Sequence, residues 1–122
     1  MAKYVLKYIK GTMSHDLKFQ ISSSTLKLTG FCDSDWGASD DRCSITGYSF
    51  QLNSNGPSIS WKSKKQRTVA LSTCEAEDMA LAAAMQEANF LRQLFVDMQG
   101  GDKGSVTLYS DNQGAIALAK TL

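Results

Sequence analysis

The chain has 122 residues, enough for one domain with a single core, and 43% of them are apolar. A formal net charge of +1 excludes a global field for polyanions, so any nucleic-acid binding must come from a local patch. One proline, nine glycines and no run near the ~18 apolar residues of a membrane span exclude disordered, fibrous and membrane-spanning classes.

The opening residues 2–10 place Val5, Leu6 and Ile9 on one helical face, and Gly11 ends the run. The alternating lysines there, with no small-residue cleavage site after an apolar core, are not those of a signal peptide. Leu17, Phe19 and Ile21 alternate like a short strand, and residues 21–25 read as a polar turn. Residues 26–33 form a first strong strand, with Leu26, Leu28 and Cys32 on one face and Phe31 and Asp33 on the other. Residues 35–44 are a loop. A second strand covers 45–52, with Tyr48, Phe50 and Leu52 on one face. Asn53, Gly56 and Pro57 mark a turn, because Asn and Gly tolerate positive φ and proline fixes the exit. A third strand runs over 58–63, carrying Ile59 and Trp61.

The long helix that follows has Ser72 as N-cap and Glu75 completing a capping-box pattern. Met79, Ala80, Ala83, Phe90, Leu91, Leu94, Phe95 and Met98 recur at helical spacing until Gly100-Gly101. Residues 106–111 are a fourth strand, and 113–120 a short amphipathic helix.

Short connections make the first three strands an antiparallel meander. The helix then returns the chain, and a fourth strand beside the first and parallel to it brings Asp33, Glu77 and Asp111 to one edge. Positions 77, 81, 84 and 88 share a helix face, and a glutamate on that apolar stripe is costly to bury unless it meets a cation or a partner. Taken singly, Asp33 is also a strand-end turn former, Asp111 a helix N-cap, and Glu77 an acid favoured by the helix N-terminus. Jointly they predict an acidic, metal-binding corner. Zinc is disfavoured, since His15 is the only histidine and Cys32, Cys43 and Cys74 lack metal-type spacing. Three unpatterned cysteines fit a reduced, intracellular protein.

The strings GFCDSDWGASDDRCSITGYSF, SISWKSKKQRTVALSTCEAEDMAL and VTLYSDNQGAIALAK closely resemble the ribonuclease H domain of copia-type retrotransposon polyproteins. The opening KYVLKYIKGT resembles the end of the reverse-transcriptase connection, which divides the chain into 1–20 and a ribonuclease H-like domain over 21–122. The resemblance implies an α/β fold with Asp33, Glu77 and Asp111 as metal-binding catalytic acids. It implies hydrolysis of the RNA strand of an RNA–DNA hybrid with Mg²⁺, for which Mn²⁺ is an expected substitute. A fourth aspartate, on a further strand and helix, has no counterpart in this sequence, and Asp78 stands where a large apolar residue is usual.

Lys62, Lys64, Lys65 and Arg67, beside Trp61, are placed to contact a phosphate backbone; a solvated strand end with Trp61 in the core is the alternative. By resemblance, Ser72 and Thr73 meet a phosphate at the helix start, and Asn112 and Gln113 reach a minor groove. The expected partners are the hybrid, the reverse-transcriptase domain of the same polyprotein, and a second copy pairing along the uncovered fourth strand, with no membrane. The competing reading is a retroelement fragment that keeps the fold and binds nucleic acid or itself without turnover. A carboxylate-pair glycosidase is disfavoured, because no aromatic sugar platform lies near the acids.

Overall fold

The computed structural model describes residues 1–20, 27–53, 56–100 and 106–113. The elements run α1 (Ala2–Gly11), β1 (Leu28–Asp35), β2 (Ile45–Leu52), β3 (Ser58–Lys65), α2 (Thr73–Gln99) and β4 (Thr107–Tyr109). The strands form one sheet in the order β3-β2-β1-β4, with β1 antiparallel to β2, β2 antiparallel to β3, and β4 parallel to β1. This is an α/β architecture with a mixed sheet: the meander follows from the short connections, and β4 takes the place beside β1 on which the gathering of the acids depends. The predicted turn over 21–25 and the helix beyond Gln113 lie outside the described residues.

The core lies between α2 and the sheet, built on Leu28, Cys32, Phe50, Leu81, Ala84, Ala88 and Leu91. Phe50 is wholly buried at its centre. Gly30 is required beneath it: a Cβ there would collide with the Phe50 ring and the Leu108 methyl group. The absence of a side chain thus lets β1 lie tight against its neighbours.

One predicted element is missing among the described residues, and three others need comment. The alternation of Leu17 and Phe19 forms no strand; neither side chain is buried, so nothing favours one. The predicted helix forms as α1, ending at Gly11, and its face with Val5, Leu6 and Ile9 is exposed. In α2 the predicted face of positions 77, 81, 84 and 88 does lie against the sheet, joined by Ala76, Ala80 and Leu91, whereas Phe90, Leu94 and Met98 of the longer periodic run are exposed. Small alanines let the helix approach the sheet closely, and they take the inner face at the expense of bulkier neighbours. Finally, β3 extends two residues farther than predicted, to Lys65, and Trp61 is 66% exposed, so the alternative that put it in the core is the one overturned. The cause is a bulge: Phe50 pairs with Ser60 and Gln51 with Ser58, so Ile59 is an extra residue in the ladder. Ile59 turns to the core, Ser60 reaches Glu87 of α2 through its hydroxyl at 2.7 Å, and Trp61 falls on the opposite face.

The termini of α2 follow their local chemistry. Ser72 Oγ accepts the Glu75 N–H at 3.1 Å, and Gly100 closes the helix at φ 63°. Glu75 Oε2 accepts the Leu71 N–H at 2.6 Å, one residue before the partner a capping box supplies.

Candidate metal centre

Asp33 lies on β1, on the face turned away from α2, and is exposed. Glu77 enters from the second turn of α2 and is only 4% exposed. Asp111 lies two residues beyond β4 and is exposed. The parallel pairing of β1 with β4 sets Phe31 opposite Tyr109, which carries the chain on to bring Asp33 and Asp111 side by side. One carboxylate oxygen from each of Asp33, Glu77 and Asp111 lies within 4.8 Å of the others.

Three like charges this close repel one another unless a cation or protons offset them. Burial pushes the Glu77 carboxyl above its ordinary range; hydrogen bonds from Ser34 oppose the shift, and the Asp33 and Asp111 charges add to it. Glu77 Oε1 accepts from the Ser34 hydroxyl at 2.7 Å and from the Ser34 N–H at 3.2 Å. Its other oxygen, Oε2, is buried without a donor among the described residues. A buried carboxylate oxygen left unsatisfied beside two further carboxylates, all of them hard oxygen donors, fits a divalent cation such as Mg²⁺.

The scaffold behind the cluster is polar, though Gln66 Oε1 is buried with no partner among the described residues. Gln66 Nε2 donates to Ala76 O and to Thr46 Oγ1, both at 3.0 Å, tying the turn of α2 just before Glu77 to β2. Trp36 Nε1 donates to Ala70 O at 3.1 Å, holding the β1–β2 loop against the approach to α2. Cys32 Sγ donates to Tyr109 O at 3.7 Å, and burial, with a smaller contribution from the nearby carboxylates, pushes its thiol up. Phe31 and Tyr109 stack with centroids 5.3 Å apart, and together with Cys32, Asp33, Ser110 and Asp111 they line a depression of about 360 Å³.

The basic residues fall elsewhere. Lys62, Lys64, Lys65 and Arg67 line a separate cleft of about 430 Å³ between β3 and α2, facing Gln86 and Glu87. Lys65 is ion-paired with Asp41, which raises the lysine and lowers the aspartate. Lys62, Lys64 and Arg67 make no ion pair among the described residues. Ser72 and Thr73 stand at the α2 N-terminus, on the same edge as Glu77, with the Ser72 oxygen engaged as the cap. Asn112 and Gln113 adjoin Asp111; the Asn112 N–H donates to Ser110 Oγ at 3.4 Å, and Gln113 is exposed. The sequence reading overlooks Ser34 and Gln66. The adjacency of Ser34 to Asp33 is the available signal for the first; Gln66 has none, because its partners Thr46 and Ala76 lie on other elements.

No family model matches the chain, and no solved structure matches it. Among curated proteins it is 50% identical over 90 residues, 73% of this chain and 61% of the relative, to "Secreted RxLR effector protein 161" of Plasmopara viticola. It is 40% identical over 97% of its length to the "Retrovirus-related Pol polyprotein from transposon TNT 1-94" of Nicotiana tabacum, and 36% identical over 95% to that from transposon RE2 of Arabidopsis thaliana. It spans only 9% and 8% of those two polyproteins. Over almost its whole length, therefore, the chain is related to a short segment of the Pol polyproteins of plant transposons.

Proposed function

We propose that the chain is a Mg²⁺-dependent endonuclease of the ribonuclease H type that cleaves the RNA strand of an RNA–DNA hybrid. The observation that carries this reading is the convergence of Asp33, Glu77 and Asp111 from three elements, with the buried Glu77 Oε2 lacking a donor. The relationship to Pol polyproteins supports a retroelement origin. Asp33, Glu77 and Asp111 would hold the cation. A divalent ion so held supplies Lewis-acid stabilisation of a phosphodiester under attack and a water acidic enough to serve as nucleophile.

The remaining residues bind and orient. Thr73 and the first turn of α2, where the helix N-terminus favours an anion, receive a phosphate near the acids. Asn112 and Gln113 reach for ribose hydroxyls, which separate RNA from DNA. Lys62, Lys64 and Arg67 attract the backbone farther out; Lys65 contributes less, being already paired. The exposed apolar face of α1 suits contact with the rest of a Pol polyprotein, and β4 offers an edge to a second copy.

The separation of the cationic cleft from the carboxylates favours a second reading, a module that binds nucleic acid without turnover. One experiment divides them: incubation of a strand-labelled RNA–DNA hybrid with the protein in Mg²⁺ or Mn²⁺, beside Glu77→Gln. RNA-strand cleavage lost in the variant supports the nuclease. Retention of the hybrid without cleavage by the folded protein in either metal supports the binding module.

A further inference from the structure

We propose that Ser34 is the positioning residue of the carboxylate cluster, holding Asp33 and Glu77 in one fixed arrangement toward a divalent cation. The inference rests on the metal-binding reading above and concerns a residue with no carboxylate of its own. Neighbouring strand residues point to opposite faces, so Ser34 turns toward α2 where Asp33 turns away. The Ser34 N–H is shared between Asp33 Oδ1 at 2.8 Å and Glu77 Oε1 at 3.2 Å, and its hydroxyl donates to the same Glu77 oxygen at 2.7 Å. One residue thus grips both carboxylates.

A glutamate has three rotatable side-chain bonds, and holding one oxygen with two donors removes most of that freedom. It also leaves Oε2, the buried oxygen without a donor, as the one available to a cation. Groups that orient a ligand in this way commonly change metal affinity about 10- to 100-fold when removed. Truncating the hydroxyl alone isolates the effect, because the backbone N–H remains.

The test is calorimetric titration of Mg²⁺ and of Mn²⁺ into the unaltered chain, Ser34→Ala and Ser34→Thr, at a temperature where circular dichroism shows all three folded. Ser34→Ala should weaken divalent binding about tenfold or more, and Ser34→Thr, which keeps a hydroxyl on a strand that accepts β-branching, should restore most of it. A purely structural serine would lower the melting temperature while leaving the affinity of the folded protein unchanged. Equal affinities in the Ala variant and the unaltered chain would overturn the proposal and leave the nuclease reading standing. Absence of binding by the unaltered chain itself would overturn both. Should Ser34→Ala not fold, Ser34→Cys fills the same space with a weak donor and is held to the same tenfold criterion.

Discussion

Glu77 is an acid whose burial is unfavourable until something shares its charge. Because its folded pKa is raised, its contribution to the stability of the metal-free chain is fully present below the unfolded value of 4.5 and is lost as pH rises through the folded value. Glu77→Gln should therefore melt higher than the unaltered chain in chelator at neutral pH, by roughly 1 kcal/mol or a few degrees, while losing cleavage. The gap should close as pH falls toward 4.5. Melting curves across that range check it; a gap independent of pH would show that the carboxylate is not strained. Gly30 makes the opposite kind of case, a position constrained by packing alone. Gly30→Ala should cost about 1–3 kcal/mol in a denaturant titration, because its methyl group has no space beside Phe50 and Leu108.

At the scale of elements, what is legible in the sequence follows from how local each signal is. β2 is readable residue for residue, since its alternation and its flanking turn chemistry coincide. The α2 termini are readable from Ser72 and Gly100, and each carries a measurable share: Ser72→Ala should cost about 1 kcal/mol, with Glu75 contacts only partly compensating. Thermal denaturation against Ser72→Thr, which retains the cap, separates capping from packing. The bulge at Ile59 is not legible, because a serine-rich strand shows no sign of where its ladder slips; the exposure of Trp61 follows from that slip. The inner face of α2 is legible from the spacing of positions 77, 81, 84 and 88, but not from hydrophobicity, which ranks Phe90 and Met98 above the alanines that the close sheet admits.

At the scale of the whole molecule, strand order is the step that gathers the acids; connection lengths make the strand directions readable, but the place of β4 beside β1 comes from the structure. Three carboxylates 44 and 34 positions apart along the chain come within 4.8 Å because β4 returns parallel to β1. The hydrogen bonds that orient them are not readable, since they depend on which way Ser34 and Gln66 turn. Two separate depressions, one acidic and one basic, also predict separable behaviour. Replacing Lys62, Lys64 and Arg67 together by alanine should lower the slope of log K against log salt for hybrid binding by about 2–3, with divalent affinity unchanged in calorimetry. An unchanged slope would remove the cleft from the binding surface.

The outer edge of β3 carries one more consequence. Eight residues long and paired on one side only, it is an open template for another strand, yet it is interrupted at Ile59 and studded with Lys62, Lys64 and Lys65. Two such borders approaching each other meet mutual repulsion at short range, which disfavours pairing of copies through β3 in dilute buffer. Salt shields that repulsion. The protein should accordingly become more prone to self-associate as ionic strength increases, contrary to what an assembly held by opposite charges would do.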